Sequence, residues 1–392
     1  MQGRLVEQLL PVEAWSRPSS VATYHVGMAF FDSAVYAKRR DALREAARSA
    51  KCGGVVLGTG GEFEYLTGCR AFSHERLTAY LLGGDGQACI VAPITDIETL
   101  MTQGSIDGVD VVGWRDGQDP YALVAQHVGR GEVYLGPTLT ADHVFALQNR
   151  LDSTQLLPDV VSRVFTVKDG LETQQLSRAA AAIDRVHARV SELLKAGVTE
   201  ADVAARLHAL ILHEHVNADF IIVGSGPNGA NPHHEYSERV LKAGEPVVVD
   251  IGGTLDSGYR SDCTRTYVVD GATPLPEVET AYDVLQQAQA AARAAAAPGI
   301  LAGELDRIAR DCIASAGYKD AFTHRLGHGI GLSTHEPPFI TDGSDTVLEA
   351  GMVFSIEPGI YMPGKWGMRV EDIVRLDAAG AKALNTVSRT LR

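Results

Sequence analysis

The sequence predicts an α/β protein built from two domains of unequal size. Its 392 residues are too many for one ordinary core. Between about 28 and 165, helix-like segments alternate with short apolar strands such as GGVVLG (53–58) and ACIVAP (88–93), which is typical of an α/β domain. Farther along the chain, long helices precede strand-and-turn segments, which indicates a sheet covered by helices.

We therefore predict three segments along the chain. Residues 1–27 show little pattern and are predicted to be an N-terminal extension. Residues 28–165 are predicted to form the smaller α/β domain, and residues 166–392 the larger C-terminal domain.

Two helix pairs are predicted in the C-terminal domain. The first consists of 171–197, where apolar residues recur at helical spacing, and a helix that starts at an N-cap on Thr199. The second lies near 276–296 and 303–316. Each pair precedes an acidic hairpin, which suggests an internal duplication.

Composition excludes several functional classes. A formal net charge of −14 repels phosphate backbones and anionic membranes. No apolar run approaches the roughly 20 residues that a membrane span needs. The five cysteines are scattered, without a C-x-x-C pair, which fits a reducing cytoplasm better than a disulfide framework.

Four acidic side chains belong to two predicted hairpins, 246–269 and 352–376, that are otherwise apolar. A buried carboxylate must be paired or must bind a cation. Single ion pairs with Arg265 and Arg369 are the structural alternative, but four acids in one domain point to a shared cation. The acids are Asp250, Asp262, Glu357 and Glu371.

A glycine-rich segment, HRLGHGIGLSTHEPP (324–338), adds imidazoles to these acids. His328 is the candidate nitrogen ligand, with His324 and His335 close by in sequence. One imidazole with several carboxylates suits manganese, cobalt or zinc. Such a site has room for two ions, which would acidify a water molecule and polarise a carbonyl group.

The order Asp, Asp, His, Glu, Glu resembles the pita-bread metallopeptidases, which include Xaa-Pro aminopeptidases, Xaa-Pro dipeptidases (prolidases), methionine aminopeptidases and creatinases. The resemblance is strong over about 165–380 and weaker over 28–160. It implies a creatinase-like N-terminal α/β domain and a C-terminal pita-bread domain, with a pseudo-twofold antiparallel sheet covered by helices. The stretches that carry it are VVVDIGG (247–253), SGYRSDCTRTY (257–267), HRLGHGIGLSTHEPP (324–338), FSIEPGIY (354–361) and RVEDIV (369–374).

The resemblance also implies roles for individual residues. His233 and His335 would contact the substrate and stabilise the tetrahedral intermediate, and His324 and Arg369 would help to bind the substrate. Glu357 is the expected proton shuttle. The expected substrate is a small peptide with proline at the second position, and the expected assembly is a homodimer. Two divalent ions, manganese first and cobalt or zinc as alternatives, would be held by Asp250, Asp262, His328, Glu357 and Glu371.

Two departures from the family pattern stand out. Asp250 and Asp262 are twelve positions apart, one more than is usual, which a bulge in the hairpin would absorb. Phe339 stands where many prolidases have an arginine that holds the dipeptide carboxylate. Dipeptidase and aminopeptidase activity therefore both remain open.

Other functions have weaker support. GSGPNG (224–229) matches a dinucleotide motif, but no apolar-periodic helix follows it. A related hydrolase of a non-peptide C–N or amide bond, or a non-catalytic binding module on the same fold, stays open. His74 is a weak candidate for reaching the site of a partner subunit.

Overall fold

A computed structural model describes residues 29–73 and 75–391. The predicted extension and His74 lie outside the described residues. The first part of the described chain forms a six-stranded mixed sheet with strand order β4-β3-β2-β1-β5-β6. Its strands are β1 (Gly54–Gly58), β2 (Ala79–Gly83), β3 (Ala88–Pro93), β4 (Asp110–Trp114), β5 (Glu132–Leu135) and β6 (Ser153–Leu156).

Helices cover both faces of this sheet. Alternation along β1 places Leu57 against α1 and α2 and turns Val56 toward α4 and α5. Because both faces are covered, β1 reads as a continuous apolar run. The helices are α1 (Ser33–Ser49), α2 (Gly61–Thr67), α3 (Ile97–Gln103), α4 (Pro120–Val128), α5 (Ala141–Gln148) and α6 (Asp159–Thr166).

The rest of the described chain contains four long helices. Capping boxes begin the first two, at Asp169 with Glu172 and at Thr199 with Asp202. The N-cap predicted at Thr199 is therefore confirmed. The helices are α7 (Gly170–Leu193), α8 (Glu200–Glu214), α9 (Pro276–Ala295) and α10 (Ala302–Ile313).

Each helix pair packs on its own antiparallel strands. One apolar cluster joins α7 and α8 to the sheet β7-β8-β9, and another joins α9 and α10 to β12–β15. The second half contains the sheet β11-β10-β12-β15-β16 and the hairpin β13-β14. This repetition confirms the predicted pattern of two helix pairs followed by hairpins.

The C-terminal part of the described chain contains ten strands, β7 to β16. They are β7 (Asn217–Ser225), β8 (Pro246–Thr254), β9 (Cys263–Val268), β10 (Gly327–Gly329), β11 (Glu336–Ile340), β12 (Val353–Ile356), β13 (Gly359–Met362), β14 (Trp366–Arg369), β15 (Asp372–Asp377) and β16 (Gly380–Ala383).

The acidic residues lie at particular points of these strands. Asp250 is inside β8, whereas Asp262 immediately precedes β9. Glu357 and Glu371 lie in the short breaks between β12 and β13 and between β14 and β15. Three of the four acids therefore lie at strand ends and not within strands. At a strand end the backbone no longer has to follow the alternation of the strand, so it can direct a side chain toward the site.

The N-terminal sheet packs against the C-terminal half. Its apolar cluster continues into Tyr259, Ile330 and Leu332. Arg39 of α1 donates a hydrogen bond to the Tyr259 hydroxyl at 3.1 Å, and that hydroxyl donates to Glu172 at 3.1 Å. These contacts join residues on both sides of the predicted domain boundary at 165/166. The position of that boundary stays a prediction.

His187 of α7 supplies a pH-dependent contribution to stability. It is buried, with one ring nitrogen 2.9 Å from the Cys263 carbonyl oxygen and the other 2.9 Å from the Tyr267 hydroxyl. Burial lowers the pKa of His187 to about 4, and nearby Arg265 adds to the effect. The unfolded chain therefore takes up a proton below about pH 6.5 that the folded chain does not.

We expect His187→Gln to flatten the pH dependence of folding. Between about pH 7 and about pH 5, the free energy of unfolding of the parent should fall by about 2 kcal/mol more than that of the variant. Urea unfolding at each pH measures this difference. His213→Gln, at an exposed position, is the control; identical pH slopes for His187→Gln and the parent would contradict the assignment.

Candidate metal centre and substrate cleft

A cleft of about 1060 Å³ opens beside the acidic hairpins. Its volume is slightly above the range that is typical of ligand pockets, roughly 300–1,000 Å³. Glu371 lies buried next to it, 1% exposed. The predicted site residues that line the cleft are His233, Asp250, Asp262, His324, His328, His335, Glu357 and Arg369.

The five predicted ligands form two overlapping groups. Ligand atoms of Asp250, Asp262 and Glu371 lie within 4.8 Å of one another, and so do those of His328, Glu357 and Glu371. Glu371 belongs to both groups. Two adjacent clusters that share one carboxylate match the geometry of a site for two neighbouring cations.

Thr264 fixes the positions of the acids on the two hairpins. It lies opposite Asp250 in the β8–β9 ladder. Its carbonyl oxygen accepts a hydrogen bond from the Glu371 backbone N–H at 3.1 Å, and its hydroxyl donates to Glu371 Oε2 at 2.8 Å. Thr264 therefore ties Glu371 to the hairpin that carries Asp250, and the Thr266 hydroxyl, bonded to the backbone of Arg369, adds a second tie.

Ser355 has the corresponding role for the other two ligands. Its hydroxyl oxygen accepts a hydrogen bond from the His328 backbone N–H at 2.9 Å and donates to Glu357 Oε1 at 3.0 Å. The Glu357 backbone N–H in turn donates to the Leu326 carbonyl at 2.8 Å. Gly327 permits this approach, because a Cβ there would lie 1.9 Å from the Ser355 carbonyl oxygen.

The carboxylates repel one another strongly. Burial, followed by the negative charges of its neighbours, raises the pKa of Asp262 well above its usual range. Glu371 is affected in the same way. Within the described residues, Asp250 Oδ1 and Glu371 Oε1 are buried without a hydrogen-bond donor. These orphaned oxygens, in an oxygen-rich set with one imidazole, fit a divalent cation.

Glu357 differs from the other acids. Burial alone would raise its pKa, but the hydrogen bond from His328 and the positive charges near it lower the pKa to about 2. The His328 Nε2 atom lies 3.2 Å from Glu357 Oε1 and 3.6 Å from Asp262 Oδ2. The His328 Nδ1 atom bonds to the Gly329 carbonyl at 3.1 Å, which directs Nε2 toward the acids.

Only one of the two proposed arginine counter-ions lies in the centre. Arg369 pairs with Asp250 at 2.5 Å. Arg265 instead pairs with the buried Asp372 at 2.8 Å, so the sequence-based suggestion that it neutralises one of the four acids was wrong. One arginine leaves the site with excess negative charge.

Arg369 also organises a chain of polar contacts. Its guanidinium donates to the Tyr361 hydroxyl at 2.7 Å, and that hydroxyl lies 2.9 Å from Nε2 of His324. The other ring nitrogen of His324 bonds to the Arg325 carbonyl. Both His324 nitrogens and much of Arg369 are therefore engaged, and their substrate-binding roles stay predictions.

The two predicted catalytic histidines reach the cleft by different routes. His335 stacks edge-on against His328, with ring centroids 4.1 Å apart. Burial, with the positive charges of His328 and Arg325, lowers the pKa of His335 to about 4, so its ring is neutral near pH 7. His233 is carried into the cleft by the loop after β7.

Glu200 holds the His233 loop in place. It is completely buried and accepts hydrogen bonds from Ser225, Asn228 and Ser237 at 2.6–3.1 Å. His234 also bonds to it at 2.8 Å. His234, which the sequence does not single out, is therefore a half-buried anchor of the loop. GSGPNG ends in a 3-10 turn that leads into this loop. In the described chain, the α-helix that a dinucleotide-binding motif needs does not follow it.

The fold and the clustered ligands define a metallopeptidase. Residues 174–378 match the model of metallopeptidase family M24, and residues 39–160 match the Creatinase/Prolidase N-terminal domain. The chain belongs to metallopeptidase family M24, which confirms the resemblance found in the motifs. It is a hydrolase of peptides that depends on divalent metal ions.

Named relatives agree with this assignment. The chain is 45% identical to the probable dipeptidase PepE of Mycobacterium tuberculosis over 93% of this chain and 98% of that protein. It is 36% identical to the Xaa-Pro dipeptidase of Lactobacillus helveticus, over 84% and 91%. The crystal structure of dipeptidase PepE from Mycobacterium ulcerans superposes with a TM-score of 0.88, at 46% identity over 92% and 98%.

Sequence reasoning missed several residues of the site. Thr264, Ser355 and Tyr361 act through hydrogen bonds that no local pattern reveals. Arg325 also lines the cleft, although its position three residues before His328 could have drawn attention to it. Glu200 lies far away in sequence and had only its place in the first turn of a helix as a signal.

We expect Glu371→Gln to stabilise the metal-free protein and to weaken its response to metal. Glutamine removes the charge whose burial and repulsion raise the pKa of Glu371, so the penalty that grows above about pH 4.5 disappears. Thermal unfolding near pH 7.5, with and without added Mn²⁺, measures both effects.

The control for this experiment is Asp311→Asn, which changes an exposed acid on α10. It should behave as the parent does. A metal-free Glu371→Gln protein that is less stable than the parent, yet gains as much from Mn²⁺, would show that these acids do not share a cation.

Proposed function

We propose that the chain hydrolyses the peptide bond before proline in small peptides that carry proline at the second position. The observation that carries the proposal is the pair of ligand groups sharing Glu371, placed beside a cleft of peptide size. The proline preference rests on the similarity to proteins named Xaa-Pro dipeptidase and prolidase. A prolyl bond lacks an N–H and carries a bulky ring, which favours a dedicated site.

Two divalent ions are proposed for the centre, with manganese as the first candidate and cobalt or zinc as alternatives. When bound, such ions lower the pKa of water and polarise the scissile carbonyl group. The residues proposed to hold them are Asp250, Asp262, His328, Glu357 and Glu371.

Glu357 is proposed as the proton shuttle. Ser355 and His328 hold its carboxylate in one orientation. Its pKa of about 2 keeps the carboxylate ionised near neutral pH, which is the form that a proton acceptor requires. The same low pKa makes transfer of that proton onward to the leaving proline nitrogen energetically downhill.

His335 and His233 are proposed to bind the substrate and the developing oxyanion. The low pKa of His335 keeps it neutral, so it offers one N–H donor without adding positive charge beside the ligands. Glu200 keeps the loop of His233 close to the cleft. The two donors thus approach the substrate from separate segments of the chain.

The assembly and compartment are also proposals. A homodimer is proposed, because twofold dimers are the commonest assemblies among soluble oligomeric proteins. The described cysteines are all free, which supports the cytoplasm. Among the described helices, none combines the length and the apolar character that crossing a bilayer requires.

We expect the metal-loaded chain to cleave Ala-Pro or Ala-Pro-Ala faster than Ala-Leu or Ala-Leu-Ala. Liberated amino acids are measured after EDTA treatment and after reconstitution with Mn²⁺, Co²⁺ or Zn²⁺. Activity should disappear with EDTA and return with metal. Equal rates on the proline and leucine peptides would rule out the proposed substrate class.

We expect His335→Ala and Glu357→Gln to lower kcat by about 10²-fold or more, as loss of a general acid–base group or an oxyanion donor does. Bound metal should be measured in parallel, because Glu357 is also a proposed ligand. His213→Gln, at an exposed position on α8, is the control. Full activity in either active-site variant would refute its role.

A further inference from the structure

Among the residues that the structure describes, Arg325 is the arginine of the cleft without an acidic partner. Of the arginines that line the described cleft, Arg260 pairs with Asp219 at 2.8 Å and Arg369 pairs with Asp250 at 2.5 Å. Within the described residues, no carboxylate lies within 4.0 Å of the Arg325 guanidinium. Its charge is therefore available to a ligand.

Phe339 holds this guanidinium without using its hydrogen-bond donors. The guanidinium carbon of Arg325 lies 4.6 Å from the centre of the Phe339 ring. Stacking engages the flat face of the guanidinium, whereas its N–H groups point outward along the edges. A stacked arginine of this kind is prepared to bind a carboxylate through two parallel hydrogen bonds.

The position of Arg325 relates it to the reacting end of the cleft. It precedes His328 by three residues and lines the same cleft as His335. It is also close enough to His335 to contribute to lowering the pKa of that histidine, after burial and His328. A group bound by Arg325 would therefore lie near the proposed substrate-binding histidine.

We propose that Arg325, stacked on Phe339, binds the C-terminal carboxylate of a dipeptide substrate and so makes the enzyme a dipeptidase. This inference rests on the proposed function, because it assigns a specificity to the same cleft. Phe339 then supports the cation rather than marking its loss.

The test compares a free carboxylate with its uncharged amide at the same position. The parent, Arg325→Met and Arg325→Lys are assayed with Mn²⁺ on Ala-Pro and on Ala-prolinamide. For Arg325→Met, we expect kcat/KM on Ala-Pro to fall about 100-fold, mainly through KM, and that on the amide to change less than about twofold. Arg325→Lys keeps the positive charge but loses the paired N–H donors of the guanidinium. Its kcat/KM on Ala-Pro should therefore lie between those of the parent and Arg325→Met.

Phe339→Leu provides an independent variant that leaves Arg325 in place. Loss of the stack should lower kcat/KM for Ala-Pro by about fivefold and spare the amide. Arg307→Met, at an exposed position on α10, is the matched control and should behave as the parent does. Thermal unfolding and metal content identify any variant that has lost its fold.

The outcomes separate this inference from the proposed function. Equal losses on carboxylate and amide, or a parent that does not distinguish them, would overturn the role of Arg325. A parent that cleaves Ala-Leu and Ala-leucinamide but no proline peptide would overturn the proline preference alone. The same comparison, repeated with the leucine pair, would then decide whether Arg325 binds the carboxylate.

Discussion

Mutual repulsion among four buried carboxylates is the constraint around which this structure is organised. Asp262 and Glu371 are nearly inaccessible to water, and one arginine, Arg369, offsets a single negative charge. Buried like charges normally destabilise a fold by several kcal/mol unless a cation joins them. The chain keeps them together through hydrogen bonds from Thr264 and Ser355. The centre is thus held in a form suited to divalent ions at the expense of the metal-free protein.

The two halves of the C-terminal domain are both needed to build the centre. The β8–β9 strands bring Asp250 and Asp262, and the later strands bring Glu357 and Glu371. One link between the halves is the Thr264 contact with Glu371, which includes a backbone and a side-chain bond, and the Arg369–Asp250 pair is another. Neither half carries all five of the proposed ligands, so we expect metal affinity to depend on the packing of the whole domain.

The sequence was most informative about features whose energetic cost can be judged from the neighbouring residues alone. Carboxylates such as Asp250 on apolar strands are improbable without a function, so the clustering of the acids, the helix pairs and the capping box at Thr199 could be predicted. Partnerships across long sequence distances could not. Arg265 resembles a counter-ion to the nearby Asp262 in sequence, yet it pairs with Asp372, because strand pairing decides which side chains face each other.

The same limitation applied to the His233 loop. Glu200 is remote from this loop in sequence and carries no motif, but its carboxylate accepts hydrogen bonds from four residues of the stretch 225–237. Such a residue is recognisable only after folding. Likewise, Phe339 in isolation indicated a missing arginine, and only the three-dimensional structure places Arg325 against its ring.

The distribution of charge within the cleft connects the metal centre to substrate selection. The cluster around Glu371 is negative and would be neutralised by bound cations, whereas the unpaired Arg325 contributes fixed positive charge near His335. A small peptide with charged ends experiences these two features together, and binding at one end restricts the orientation of the other. A carboxylate held by Arg325 would limit the length of chain beyond the scissile bond. We therefore expect residue 325, and not residue 339, to determine whether the enzyme accepts dipeptides or longer peptides.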